Sequence, residues 1–294
     1  MRIDHPVRPG LRMECADGGR LVLVQGERPV LFARQRAGRR GVHYARTGAY
    51  VSPLAPLTAA TARAFAAFAA PGSEAWTERW AARAEAELRG VADGPLHAGD
   101  WNLGPMTPGW FVERNWPKPL AHDPDRGHLT WFGYGDPDED ARDLLPLRAL
   151  SGPGAARVKA YRRQYREGVL PPVLLWWISG LNCPVVLDGH DRLVAALAEG
   201  GRPPVLLLSR AVDARYVALC AARPVEEYER RTAAADGPLA AVHTAAASRR
   251  LAETLRAIER TPEITRAWPV AGGVDGWERA AAAHVPGWGP DPLP

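Results

Sequence analysis

Short apolar runs alternate with amphipathic segments through the second half of the chain. Four of the runs are rich in Val and Leu and bounded by Gly or Pro, which predicts buried strands. Between them, Ala155–Gly168 has apolar residues at helical spacing, and His190–Glu199 predicts a second helix that ends before Gly200. The predicted order for residues 144–210 is therefore strand, helix, strand, strand, helix and strand.

The flanking segments follow other patterns. Residues 20–46 contain three apolar runs and a Gln-Gly-Glu-Arg junction, which predicts strands and a hairpin, and Thr58 and Ser73 each precede a predicted helix. The C-terminal pattern predicts helices over Val212–Ala222, Val225–Ala235 and Leu239–Arg260. The predicted organisation is an N-terminal β-hairpin with helices and Trp-rich loops over 1–135, an acidic linker over 136–143, a core over 144–210, and a helical region over 211–294 whose Pro/Gly-rich tail, from residue 262, lies on the surface.

One turn between the third core strand and the second core helix combines groups that suit an anion: Asp188, Gly189, His190, Asp191 and Arg192. A strand that ends at an Asp-Gly turn and leads directly into a helix brings the free N–H groups of the first helical turn together, where the dipole favours negative charge. Gly189 has no Cβ and allows close approach to the backbone, and the Arg192 guanidinium suits phosphate. The turn therefore predicts an anion site for a nucleotide phosphate.

Three of these side chains also have a purely structural explanation. Asp188 is suited to cap the turn, His190 to lie on the surface of the first helical turn, and Asp191 to place a favourable charge at the helix start. The presence of all these groups in one turn is what favours a binding site over three unrelated structural roles.

The predicted order of elements and the Asp-Gly-His-Asp-Arg turn resemble the ParB/sulfiredoxin superfamily, which includes ParB partition proteins that bind CTP, sulfiredoxins and free-serine kinases. The kinase turn, Asp-Gly-His-His-Arg, is the most similar, since Asp188, Gly189, His190 and Arg192 match it. The resemblance covers residues 144–210. It implies an α+β fold with a mixed sheet and helices, extended by a β-rich and helical N-terminal region and an α-helical C-terminal region.

The chain also departs from the members of this superfamily. In ParB proteins the turn is Gly-Glu-Arg-Arg, so Gly189 and Arg192 match and the two residues between them differ. His190 stands where sulfiredoxins have their nucleophilic Cys, which argues against sulfiredoxin chemistry. The free-serine kinases carry a catalytic Glu after the first strand, but the corresponding loop, residues 151–154, has no acidic residue. Phosphate binding is therefore better supported than phosphoryl transfer.

The first hypothesis is a phosphotransferase or NTPase that uses ATP or CTP with Mg²⁺, acting on a small-molecule or protein phosphoryl acceptor. The resemblance implies catalytic roles for Asp188, His190 and Asp191, with an aspartate as base or metal ligand and His190 as a hydrogen-bond donor to the phosphate or as a proton carrier. It implies phosphate binding by Gly189, His190 and Arg192. It adds Arg157 or Lys159 from the basic helix, which lies near the nucleotide in ParB-like domains.

Two other functions remain open. The second hypothesis is a DNA- or RNA-binding protein, because no acidic residue occurs from Arg28 to Ser73 and the helix over Ala155–Gly168 is basic. No aromatic platform accompanies the basic stretch, and no helix-turn-helix follows the core. The third hypothesis is an accessory protein that keeps the fold without catalysis, which the missing loop glutamate favours.

Two acidic segments contain residue types that bind metal ions. His122, Asp123, Asp125 and His128 match no defined metal spacing and occur beside turn residues, so a turn is the preferred interpretation. Asp136–Asp143 is interpreted as a solvated linker, with a Mg²⁺-binding edge as the alternative. No residue in either segment is assigned as a metal ligand.

Composition adds little to this picture. The 294 residues carry a formal net charge of +4, and the basic residues are nearly all Arg, which we attribute to coding bias. Cys15, Cys183 and Cys220 form no CxxC pair, so free thiols in a reducing compartment are expected. No apolar run reaches the ~20 residues of a membrane span, and the first residues have no signal-peptide core. The expectation is a cytoplasmic protein without a membrane partner.

Overall fold

The computed structural model describes residues 1–36, 41–106, 123–130, 144–234, 238–259 and 263–288. The strands in chain order are β1 (Arg2–Ile3), β2 (Leu11–Ala16), β3 (Arg20–Gln25), β4 (Arg28–Arg36), β5 (Gly41–Arg46), β6 (Gly99–Gly104), β7 (Arg126–Thr130), β8 (Leu145–Pro146), β9 (Val173–Ile178), β10 (Cys183–Asp188), β11 (Val205–Arg210) and β12 (Ala267–Pro269). The helices are α1 (Ala59–Phe68), α2 (Glu74–Arg89), α3 (Ala156–Arg166), α4 (His190–Ala198), α5 (Ala214–Ala233), α6 (Ala240–Glu259) and α7 (Gly273–His284). Within these residues the protein is α+β with two mixed sheets, which confirms the predicted class.

The first sheet contains the four strands predicted for residues 144–210, in the order β1-β6-β11-β9-β10-β8. The pairs β11–β9 and β10–β8 are parallel, and the others are antiparallel. The sheet extends beyond the predicted core, because β1 and β6 from the N-terminal region pair along its β11 edge. The first predicted strand is short: only Leu145–Pro146 pairs with β10.

The second sheet is built mainly from the N-terminal region, in the order β12-β2-β3-β4-β5-β7. The strands predicted within residues 20–46 are confirmed, and the hairpin between β3 and β4 turns at Gly26, whose φ of +61° suits glycine. All pairs are antiparallel except β12–β2. This sheet lies against the first one rather than forming a separate unit.

Alternation of side chains along the strands explains how the layers stack. Leu174, Trp176 and Ile178 of β9 face the same core as Leu11 and Met13 of β2, so the two sheets share one large apolar cluster. The other face of the first sheet packs against α4, which in turn packs on α3. The other face of the second sheet packs against α7. The resulting layers are helices, sheet, sheet and helix.

The predicted starts of the first two helices are confirmed. The hydroxyl of Thr58 accepts a hydrogen bond from the N–H of Thr61, and Ser73 caps the N–H of Trp76 in the same way. Trp76, Trp80 and Leu88 of α2 are buried in the shared core, as their spacing predicted.

The C-terminal region differs from the prediction in two ways. α5 is one continuous helix with Pro224 inside it, where the sequence pattern predicted two helices, Val212–Ala222 and Val225–Ala235. The stretch from residue 262 does not simply lie on the surface: it contributes β12 to the second sheet and then α7. Trp277 of α7 is buried beneath the sheet, and its indole N–H donates to the backbone oxygen of Leu21 at 2.9 Å. Trp277 and Ala281 lie four residues apart on one face of α7 and pack against the second sheet, which explains why this segment is not simply draped on the surface.

Some predictions lie outside the described residues. These are the linker over 136–143, the metal candidate His122, and three of the tryptophans in the Trp-rich loop region: Trp110, Trp116 and Trp131. Trp101 is described and is buried in the shared core, in agreement with a packing role.

Candidate functional site

The Asp-Gly-His-Asp-Arg turn joins β10 to α4 as predicted. Gly189 is the residue before the helix, with φ +94°, and a Cβ there would lie 2.6 Å from Nη2 of Arg192. Only glycine fits this left-handed and crowded position without strain. No side chain caps the N-terminus of α4, and its first helical hydrogen bond runs from the N–H of Leu193 to the oxygen of Gly189. The free end of the helix dipole is therefore available to an anion.

A cavity of about 420 Å³ opens at this turn. The charged residues of the lining come from the turn, from the segment after β8 and from α3, and most of its apolar residues come from the segment before α1. The lining residues are Tyr50, Val51, Ser52, Leu54, Pro56, Leu57, Arg148, Arg157, Tyr161 and the five residues of the turn. Its size suits a small-molecule ligand.

Arg192 is held at the base of the cavity by an aspartate four residues earlier. Asp188 accepts hydrogen bonds from Nη2 of Arg192 and, at 2.6 Å, from the hydroxyl of Ser52. Arg192 is 2% exposed, yet its Nε and Nη1 have no hydrogen-bond partner among the described residues. A buried charged group with unused donors is costly, so these atoms indicate a missing acceptor.

Asp191 accepts hydrogen bonds from two side chains and lies close to a third, basic side chain. Its Oδ1 accepts from the hydroxyl of Ser151 at 2.8 Å and from Nη2 of Arg148 at 3.1 Å. Its Oδ2 lies 3.6 Å from Nε of Arg157. The carboxylate is nearly buried, so it keeps two arginines together at the cavity wall.

His190 is neutral in this environment. It is 1% exposed, and burial lowers its pKa well below the ordinary value, with the positive charges of Arg148, Arg46 and Arg192 acting in the same direction. Its Nε2 has no hydrogen-bond partner within the described part of the chain. A neutral imidazole offers one donor and one acceptor nitrogen, so His190 can bind a ligand oxygen or take up a proton.

Two tyrosines fix the segment over residues 50–57, which supplies most of the apolar lining of the cavity. The Tyr50 hydroxyl donates to the backbone oxygen of Leu187 in β10, and burial, followed by the nearby charge of Asp188, raises its pKa well above the ordinary value. The Tyr161 hydroxyl of α3 donates to the oxygen of Leu57 at 3.1 Å. The segment over residues 50–57 is therefore attached at both ends.

A buried ion pair fixes the backbone segment that carries Arg148. Arg46 of β5 lies 3.0 Å from both Asp123 and Asp125 and also donates to the backbone oxygens of Pro146 and Arg148. Because Arg46 holds the backbone at residues 146–148, it positions Arg148 at the cavity.

The structure brings together most of the site residues that were predicted from the sequence. Asp188, Gly189, His190, Asp191 and Arg192 all line the cavity, and so does Arg157. Lys159 is exposed and does not line it, because two residues along a helix turn the side chain to another face.

Other functional candidates had no local signal in the sequence. Tyr50, Ser52 and Arg148 reach the turn only through the fold, from segments far away in the chain. Ser151 belongs to the loop over residues 151–154, which lacks the glutamate of the free-serine kinases. Its hydroxyl donates a hydrogen bond to Asp191.

The cavity does not match a resident Mg²⁺ site. Mg²⁺ is usually held by one or two carboxylates together with waters and phosphates. Both candidate carboxylates, Asp188 and Asp191, are already paired with arginine. In the described ranges no group of three His, Cys, Asp or Glu residues could hold a metal ion, and Asp123 and Asp125, from the first acidic segment considered as a metal site, pair with Arg46.

The basic N-terminal stretch is partly neutralised by partners from elsewhere. Arg34 lies 2.7 Å from Glu278 of α7, Arg46 is buried, and Arg63 lies 3.0 Å from Glu167. Arginines that are paired with carboxylates contribute little to a phosphate-backbone surface. These three arginines are therefore better explained by structural roles than by nucleic-acid binding.

Comparison of the chain with protein-family models, with curated proteins and with solved structures gives no match. Among the helices that the structure describes, none combines the length and the apolar character needed to cross a membrane.

Proposed function

We propose that this protein binds a phosphate-bearing ligand of the nucleotide class at the turn between β10 and α4. The observation that carries the proposal is Arg192, a buried guanidinium with two unpartnered donor atoms that lines an open cavity beside an uncapped helix N-terminus. Phosphate supplies the strong acceptor oxygens that such a group requires. The backbone N–H groups after Gly189 add the usual contribution of a helix N-terminus to anion binding.

The resemblance of residues 144–210 to the ParB/sulfiredoxin superfamily supports the same proposal. The matched residues, Asp188, Gly189, His190 and Arg192, are the ones that form the turn at the cavity. We assign a ParB/sulfiredoxin-like fold to this region as part of the proposal, with ATP or CTP as the nucleotides to test first.

Binding is better supported than phosphoryl transfer. Neither Asp188 nor Asp191 is free to act as a base, because each forms an ion pair with arginine. His190 is the titratable residue of the turn that forms no ion pair with arginine, and burial, with the nearby arginines, lowers its pKa and makes it a weak base. The proposal is therefore a nucleotide-binding protein, with His190 as the group to examine if turnover is found.

A thermal-shift screen tests this proposal. The wild-type protein and Arg192→Gln are heated with ATP, ADP, AMP, CTP or GTP, each with EDTA or with Mg²⁺. A ligand that binds only the folded state stabilises it by about 2.7 kcal/mol at a concentration of ~100 Kd. We expect a rise in melting temperature for the wild type that Arg192→Gln abolishes.

Two controls make the screen decisive. Arg157→Gln removes a half-exposed arginine that lines the same cavity, so it still tests ligand binding if Arg192→Gln does not fold. Lys159→Gln changes a neighbouring basic residue outside the cavity and is the negative control. The absence of a shift with every nucleotide in the wild type would exclude the proposed function.

A further inference from the structure

We propose that the cavity takes a phosphate monoester and binds its phosphate through arginines, without a divalent cation. This inference rests on the proposed function and specifies the ligand form that the same cavity accepts. It is carried by the way in which the carboxylates and arginines of the lining are paired with each other.

The first step concerns the carboxylates. Asp188 already accepts from Arg192 and from Ser52 at 2.6 Å, and Asp191 already accepts from Arg148 at 3.1 Å and from Ser151 at 2.8 Å. A cation held by either aspartate would lie beside the positive charge of the arginine that is already paired with it. The donor set therefore favours an anion as the occupant.

The second step concerns the charge of the lining. Arg148, Arg157 and Arg192 face Asp188 and Asp191, so the lining carries a formal net charge of +1 when His190 is neutral. A phosphate monoester brings a charge of about −1.5 to −2 at pH 7, which this excess and the helix dipole can offset. Each further phosphoryl group of a nucleoside triphosphate adds negative charge that the described lining leaves unbalanced.

The third step concerns the apolar residues of the lining. Val51, Leu54, Pro56 and Leu57 add apolar side chains to the same cavity as the charged turn. An ester substituent can bury apolar surface against these side chains, whereas inorganic phosphate cannot. The lining is thus suited to a ligand with a phosphate at one end and a less polar group at the other.

Asp191 has a distinct role in this account. Its carboxylate lies 3.1 Å from Arg148 and 3.6 Å from Arg157, so it competes with the phosphate for these two arginines. If Asp191 instead held a metal ion for the ligand, its charge would help binding. Removal of that charge therefore changes the affinity in opposite directions under the two mechanisms.

Isothermal titration of the full-length protein with AMP, ATP and inorganic phosphate, each in EDTA and in Mg²⁺, tests the inference. We expect AMP to bind in EDTA with a Kd that Mg²⁺ changes by less than about twofold, and to bind about tenfold more tightly than inorganic phosphate. Asp191→Asn, which keeps the acceptor oxygen for Ser151, should tighten AMP binding by about fivefold, and Arg157→Gln should weaken it by about tenfold. Lys159→Gln is the matched control and should stay within about twofold of the wild type.

The outcomes separate this inference from the proposed function. ATP that binds only with Mg²⁺, AMP that binds no more tightly than inorganic phosphate, or Asp191→Asn that weakens AMP binding would each overturn the inference while leaving nucleotide binding intact. The wild-type comparison of EDTA with Mg²⁺ decides the matter even if Asp191→Asn does not fold. If none of the three compounds binds under either condition and CTP and GTP also give no thermal shift, the proposed function itself is wrong.

Discussion

At the scale of single residues, the site depends on a glycine and a histidine that no other residue type would replace equally well. Gly189 combines a left-handed backbone with close packing against the Arg192 guanidinium. His190 is a titratable group that the fold keeps buried and neutral. Both features follow from the direct passage of a buried strand into a helix, and each leads to a measurable consequence.

Gly189→Ala tests the backbone requirement. The new Cβ would force a left-handed alanine and a contact of 2.6 Å with Arg192, so we expect a loss of about 2 kcal/mol in the free energy of unfolding. Gly154→Ala is the control, because its Cβ would meet no atom within 4 Å, and it should change stability by less than about 0.5 kcal/mol. Equal unfolding midpoints in urea for both variants would contradict this account of the turn.

His190→Gln tests the buried neutral imidazole. Because the pKa of His190 is lowered in the folded state, the unfolded chain takes up its proton first, and stability must fall as the pH drops below about 6.5. The variant should lose this contribution, worth a slope of up to about 1.4 kcal/mol per pH unit. His97, whose pKa burial lowers to about 4, should behave in the same way as a second case.

Urea titrations between pH 7 and pH 5 measure these slopes. Overall stability differences between variants do not affect the comparison, because only the dependence on pH is at issue. If the slope of His190→Gln equals that of the wild type, His190 is not held neutral by the fold.

At the scale of elements, the C-terminal helix α7 shows what sequence pattern alone missed. The Pro- and Gly-rich composition around it concealed an amphipathic segment whose Trp277 is 1% exposed. Its ring packs edge-to-face on Phe32 with centroids 5.5 Å apart, and Arg34 lies over it at 5.1 Å. Burial of this side chain joins the end of the chain to the second sheet.

Trp277→Ala tests the contribution of α7. The substitution leaves a cavity and removes the hydrogen bond to Leu21, so we expect a loss of about 3 kcal/mol or more in the free energy of unfolding. Leu219→Ala, at a position that is 74% exposed on α5, is the control for a large apolar side chain outside the core. A loss smaller than about 1 kcal/mol for Trp277→Ala would mean that α7 does not stabilise the sheet.

At the scale of the whole molecule, the sequence predicted local order better than long-range assembly. The strand–turn–helix unit around Gly189 was predictable, because glycine, charge and apolar periodicity are all local signals. The pairing of β6 with β11 was not predictable, because strand partners are chosen by the tertiary packing of both faces. The same reason explains why Ser52 and Arg148 were absent from the predicted site, although they lie at its wall.

The predicted division of the chain into a core and separate flanking regions does not correspond to separate units in the structure. The shared apolar cluster contains residues from β2 and β9 alike, so the N-terminal sheet and the core sheet bury each other. The segment over residues 50–57 passes from the second sheet across the mouth of the turn. The cavity is therefore a product of the assembled layers rather than of residues 144–210 alone.

The most direct test of the central claim is a crystal structure of the full-length protein grown with AMP in the presence of EDTA. The account predicts the phosphate within hydrogen-bond distance of the N–H groups that follow Gly189 and of the Arg192 guanidinium, with the nucleoside against the wall over residues 50–57. A phosphate bound elsewhere, for example on the exposed Arg28, while the turn holds only solvent, would contradict it.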